Sequence, residues 1–91
     1  MTQTNLDQLF VDITDLLGSS VPAFVTDTLI APIFSAILSY QAIGSSDDLA
    51  VVIVGLKMVE GLFKKNDCVD DERYKKLIEI INKLEKRKIN L

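Results

Sequence analysis

An all-α fold, a four-helix up-down bundle built on a central apolar helical hairpin, is what this sequence predicts, and three observations predict it. Apolar residues recur at three- and four-residue spacing along most of the chain. No stretch alternates apolar and polar as a half-buried strand does. The helical tracts are separated by breakers: Gly18-Ser19-Ser20, then Gly44-Ser45-Ser46-Asp47-Asp48, then Asn66-Asp67. Four helices are expected, roughly over 4–17, 21–42, 47–65 and 69–88, in one domain of residues 1–91.

The first helix reads from Thr4 as N-cap, with Asp7 three residues on in the manner of a capping box. Leu6, Leu9, Phe10, Ile13, Leu16 and Leu17 make one apolar stripe, and Gly18 is suited to the position after the helix. Ser19 or Ser20 is expected to cap the second helix, with Pro22 in its first turn, where a missing N–H costs nothing. Pro32 lies inside that helix and either kinks it or divides it near Ala31.

Two faces are expected on the second helix. Val25, Leu29, Ile33, Ile37 and Tyr40 form one, while Ala31, Ser35 and Ser39, with Ala42 beyond, form a second of small side chains. Small residues at four-residue spacing let another helix backbone approach closely.

Ser46 or Asp47 is expected to cap the third helix, with the Asp47 and Asp48 carboxylates at its positive end. From Leu49 to Phe63 eleven of fifteen residues are apolar. Leu49, Val52, Leu56, Val59 and Phe63 form a seam that Val51, Val54, Met58 and Leu62 widen, leaving Lys57, Glu60 and Lys64 as a narrow solvated stripe. A helix this apolar is either central in its bundle or covered by another copy. The fourth helix, capped by Asp67 or Asp70, has an apolar stripe of Tyr74, Leu77, Ile78, Ile81 and Leu84. Its acids crowd the start and its bases the end, complementing the helix dipole, and Lys75, Glu79 and Lys83 stand at four-residue spacing.

Composition excludes several functions. With 48% apolar and 25% charged residues the chain is globular rather than disordered. At 91 residues it buries only about 60–65% of its unfolded surface, so stability as a monomer is expected to be marginal. There is no histidine and one cysteine, Cys68, which removes internal disulfides, His- or Cys-rich zinc sites and every histidine-based catalytic pair. A single thiol suits a reducing, intracellular setting. Residues 1–20 lack a basic start and carry Asp7, Asp12 and Asp15, so no secretory signal is expected.

Charge is uneven. The net value of −3 argues against a general nucleic-acid binder. Yet residues 1–60 hold seven acids and one base, and residues 61–91 hold nine bases and six acids. Within the basic end, Lys83, Lys86 and Arg87 are the candidate contacts to phosphate or another anion. The commoner role of such a face is simple solvation, or docking onto the acidic half of another copy.

Two further candidates read as structural. Asp27 is the one acid inside the apolar tract; a buried carboxylate could act as acid or base, but none of the partners of a catalytic group accompanies it. An early-helix acid, or a partner for Lys57 or Lys64, is the expected role. Asp67, Asp70, Asp71 and Glu72 lack the glycine and terminal glutamate of a calcium loop, and acids beside Cys68 disfavour a reactive thiolate. No catalytic, cofactor-binding or metal-binding residue is expected.

A membrane hairpin is the competing reading of the middle of the chain. Thr28 to Ser46 is nineteen residues without a charge, near the about 20 needed to span a bilayer. Against it, the fifteen-residue apolar body of the third helix covers only about 22 Å, and Lys57 and Glu60 lie within it. The order of acidic amphipathic start, apolar middle and basic end resembles, in layout, the small helical coat proteins of filamentous or spindle-shaped viruses. That resemblance implies subunit-to-subunit helix packing and a basic end facing a genome. The layout equally suits a small immunity or anti-defence protein.

The expected function is therefore non-enzymatic: a small intracellular protein acting by helix-mediated association with itself, as a dimer or larger oligomer, or with another helical protein. The residues expected to form that surface are Ala31, Ser35, Ser39, Leu49, Val52, Leu56, Val59 and Phe63.

Overall fold

A computed structural model describes residues 2–19 and 21–89, those of 2–5 and 87–89 by backbone alone. Four helices are formed: α1 (Thr2–Gly18), α2 (Asp27–Ile43), α3 (Ser46–Lys65) and α4 (Glu72–Ile89). Helix α1 packs against α2 and α4, and α3 packs against α2 and α4, so α1 and α3 stand on one diagonal of a four-helix bundle. The bundle measures 35 × 23 × 19 Å. Among the described residues there is no strand.

The core is one cluster fed by all four helices. The whole stripe Leu6, Leu9, Phe10, Ile13, Leu16 and Leu17 is buried, as its spacing predicts. Ile13, Ile33, Leu49, Leu56, Leu77 and Leu84 are fully enclosed. Edge-to-face ring pairs join α1 to α2, Phe10 on Tyr40 at 5.6 Å, and the loop between α1 and α2 to the end of α3, Phe24 on Phe63 at 5.3 Å.

Helix α2 starts at Asp27, not near Val21. The preceding residues turn instead, with Val25 N–H donating to the Pro22 carbonyl at 2.9 Å. The turn drives Val25 into the core and brings Phe24 onto Phe63, contacts a helix continuing back to Pro22 would forgo. Thr26 is the N-cap residue, without a side-chain cap bond. Ser19 serves the other side of the break, its hydroxyl donating to the Leu16 carbonyl at the end of α1. The expected cap Ser20 lies outside the described residues, and Thr4, described by its backbone, falls within α1, which begins at Thr2. Pro32 sits inside an undivided α2, so the alternative of two short helices does not hold.

The remaining breaks are tight. Gly44 ends α2 in the left-handed region at φ 79, its N–H donating to the Tyr40 carbonyl at 2.7 Å. Ser45, one residue before the expected caps, is the N-cap of α3 and accepts from Asp47 N–H. Helix α3 closes on a Schellman pair: Cys68 N–H donates to the Phe63 carbonyl at 2.8 Å and Asp67 N–H to that of Lys64 at 3.1 Å. This places Asp67, not a glycine, in the left-handed region at φ 58. The cap of α4 is Asp71, rather than Asp67 or Asp70, because its Oδ1 lies 2.8 Å from Arg73 N–H.

Candidate functional site

The hairpin of α2 and α3 is the most extensive helix pair in the molecule. Its register follows from two contacts: Ile33 lies against Gly55, and the Ser39 hydroxyl donates to Asp48 Oδ2 at 2.7 Å. Residue numbers of opposed positions therefore sum to about 88, as in an antiparallel pair. The helices approach closely at Gly55, where an added Cβ would stand 2.5 Å from Ile33 Cγ1.

That packing decides which way each face of the hairpin points. Leu49, Val52, Leu56, Val59 and Phe63 of the expected association surface point inward and are at most 3% exposed. They are covered by this chain's own helices, and no partner can reach them in the folded protein. Ala31 and Ser35 are exposed on the outer side of α2, and Ser39 is half-buried under its bond to Asp48.

The side of α3 expected to widen the buried seam is instead open. Val51, Val54 and Met58 are 47, 57 and 56% exposed, and Leu38 on α2 is 67% exposed. With the outer side of α2 they form two exposed lines. On α2 the line is Thr28, Ala31, Ser35, Leu38 and Ala42; on α3 it is Asp47, Val51, Val54, Met58, Gly61 and Lys65, and every member is exposed. Both lines step three and four residues at a time, the spacing of a helix-packing seam. The sequence holds this signal: a tract apolar nearly all round carries two seams on α3, and periodicity alone does not say which of them faces out.

Between the lines runs an apolar groove of about 360 Å³, bordered by Leu29, Pro32, Val51, Val54 and Met58. A second groove of about 410 Å³ lies on the other flank of α2, bordered by Val11, Phe34, Leu38 and Gln41 with Asp15 at its edge. No residue of α2 after Asp27 carries a charge. The middle of this hairpin's outer surface is thus apolar and grooved, with charges at the ends of the α3 line, Asp47 and Lys65, which suits it to contact with another helix.

The other candidates sit apart from that face. Asp27 is exposed in the first turn of α2, near the positive helix end. Its expected partners are engaged elsewhere: Lys57 Nζ lies 2.7 Å from Glu85 of α4 and Lys64 Nζ lies 3.0 Å from Glu60, which raises the Lys64 pKa through that hydrogen bond and charge. On α4, Lys83 pairs with Glu79 at 3.1 Å and Lys86 is exposed; the Arg87 side chain lies outside the described residues. Among the described residues no three acidic or cysteine side chains converge to hold a metal ion, and no helix is long and apolar enough to cross a membrane. At 17 residues α2 reaches only about 26 Å.

No protein family, curated protein or solved structure matches the chain.

Proposed function

We propose that this chain is a non-enzymatic association protein that works by helix-to-helix contact, with the outer face of the α2–α3 hairpin as its working surface. The observation that carries the reading is the placement of Val51, Val54 and Met58. Three large apolar side chains, each about half or more exposed, border one apolar groove between α2 and α3 of a small domain. Exposed apolar groups scattered singly are ordinary, whereas a contiguous patch marks contact with another surface. The single thiol, Cys68, suits work in a reducing compartment.

Light scattering behind size-exclusion chromatography, on protein purified without detergent, tests the reading. A dimer or closed oligomer is expected, and Val54→Glu or Met58→Glu should return it to about 10 kDa with helicity retained. A wild-type chain that stays monomeric at high concentration would remove self-association and leave binding to a different helical protein.

A further inference from the structure

The groove between α1 and α2 is separate from the one between α2 and α3 and has its own chemistry. Among the residues that border it, Phe10 and Ile37 are buried, Phe34 is half-buried, and Val11 and Leu38 stand open at 51 and 67% exposure. Asp15 borders it as well, and its carboxylate has no hydrogen-bond or ion-pair partner among the described residues. Asp7, Val11 and Asp15 follow one another at four-residue steps, so an exposed carboxylate stands one helical turn to either side of exposed Val11.

Charge around this groove has one sign. The charged residues of α1 and α2 are Asp7, Asp12, Asp15 and Asp27, and no basic side chain precedes Lys57 in the chain. Every lysine and arginine belongs to α3 or α4, and no residue of those two helices borders the groove.

We propose that this groove docks a basic amphipathic helix of another protein, with its apolar side on Val11, Phe34 and Leu38 and its lysines or arginines over Asp7 and Asp15. Burial of the three apolar side chains supplies the affinity, while the carboxylates select the sign of the partner's charge. Both walls are helices whose backbone groups are bonded internally, so an extended strand finds no main-chain partner there. A third helix instead seats its side-chain ridges between theirs. Asp7 and Asp15 are about 12 Å apart along α1, a distance that about three turns of a partner helix cover. The basic helix of a second copy does not meet this need, because the apolar stripe of α4, Leu77, Ile80, Ile81 and Leu84, is already buried in its own core.

Peptide titration of the full chain tests the site. The chain has no tryptophan, so one tryptophan in the peptide reports binding by its own fluorescence. The probe is a synthetic amphipathic helix of about 16 residues, about 24 Å long, with leucine on one side and lysine on the other; its twin carries glutamate for lysine. Saturable binding of the lysine peptide is expected, and none of the glutamate peptide. Leu38→Gln and Val11→Gln should each weaken it several-fold, as should Asp15→Asn, the last effect fading in high salt. Met58→Gln, on the α2–α3 groove, and Asp47→Asn, which removes the same charge elsewhere, should leave binding unchanged, with circular dichroism showing that all variants stay helical. Absent binding, or equal binding of both peptides, would overturn the proposal. So would an Asp47→Asn loss equal to that of Asp15→Asn, which would mean attraction to net charge, or a Met58→Gln loss equal to that of Leu38→Gln, which would put the peptide on the hairpin. Light scattering reads self-association separately, so failure here leaves the hairpin reading standing.

Discussion

Ile33 and Gly55 set the distance between α2 and α3. A Cβ on Gly55 would meet Ile33 Cγ1 at 2.5 Å and Cδ1 at 3.0 Å, and Ile33 is fully buried with its β-branched side chain fixed by the helix. Helix propensity favours alanine over glycine by about 1 kcal/mol, but overpacking a closed core costs about 1–3 kcal/mol. Gly55→Ala is therefore expected to be destabilising, because Cγ1 is near the backbone and has no free end to swing away. Gly61→Ala is the internal control: it lies in the same helix with nothing within 4 Å, so it should gain about 0.4–1 kcal/mol. Urea unfolding at low protein concentration reads both. A Gly55→Ala variant as stable as Gly61→Ala would mean the helices do not touch there.

Two residues in the left-handed region should respond oppositely to exchange. Gly44 at φ 79 ends α2 with open space around it, so Gly44→Ala is strained by its backbone alone and should cost about 1 kcal/mol. Asp67 at φ 58 occupies the equivalent place after α3 while carrying a Cβ. Asp67→Gly should therefore raise stability by on the order of 1 kcal/mol, seen as a higher midpoint of thermal unfolding. Equal effects of the same sign would show that the caps, rather than the backbone region, govern both ends.

Leu56 is the centre of the inner seam and has no exposed surface. Leu56→Ala should cost about 2–5 kcal/mol, a large share of what a domain this size can hold. Met58→Ala, two residues on and 56% exposed, should change the stability of an isolated chain by less than about 1 kcal/mol. Comparing the two by denaturation, and then by oligomeric state, separates the residue that holds the fold from the one offered to a partner. A Met58→Ala loss as large as that of Leu56→Ala at low concentration would place Met58 inside.

The contrast between Leu56 and Met58 also marks where sequence reading succeeds and where it stops. The buried stripe of helix α1 was legible in full, because its one apolar side has a polar opposite side that leaves a single way to bury it. Helix α3 is apolar on nearly every side, so periodicity names two seams and is silent on which one this chain covers. The packing of α3 against both α2 and α4 turns the helix, hiding Leu56 and Val59 and exposing Val54 and Met58. The start of α2 was missed for a related reason. Pro22 suits a first helical turn, but the core's need for Phe24 and Val25 overrides that local preference.

The cap of α4 supplies a pH dependence with a definite sign. The Asp71 carboxyl is held down to about 2 by hydrogen bonds from the Arg73 side chain first and from the Arg73 backbone N–H second. The folded value lies below the ordinary 3.8, so the interaction is fully present above about pH 4 and is lost as pH falls toward 2. Asp71→Asn keeps an oxygen able to accept from Arg73 N–H while removing the charge, because asparagine caps a helix about as well as aspartate. The variant should melt below the wild type at pH 6, and the gap should close as pH falls from 4 to 2. Every other carboxylate protonates alike in both proteins, so the difference between the two melting curves isolates this one pair. A gap that stays constant across that range would mean that the geometry of the cap, and not its charge, is what holds the start of α4.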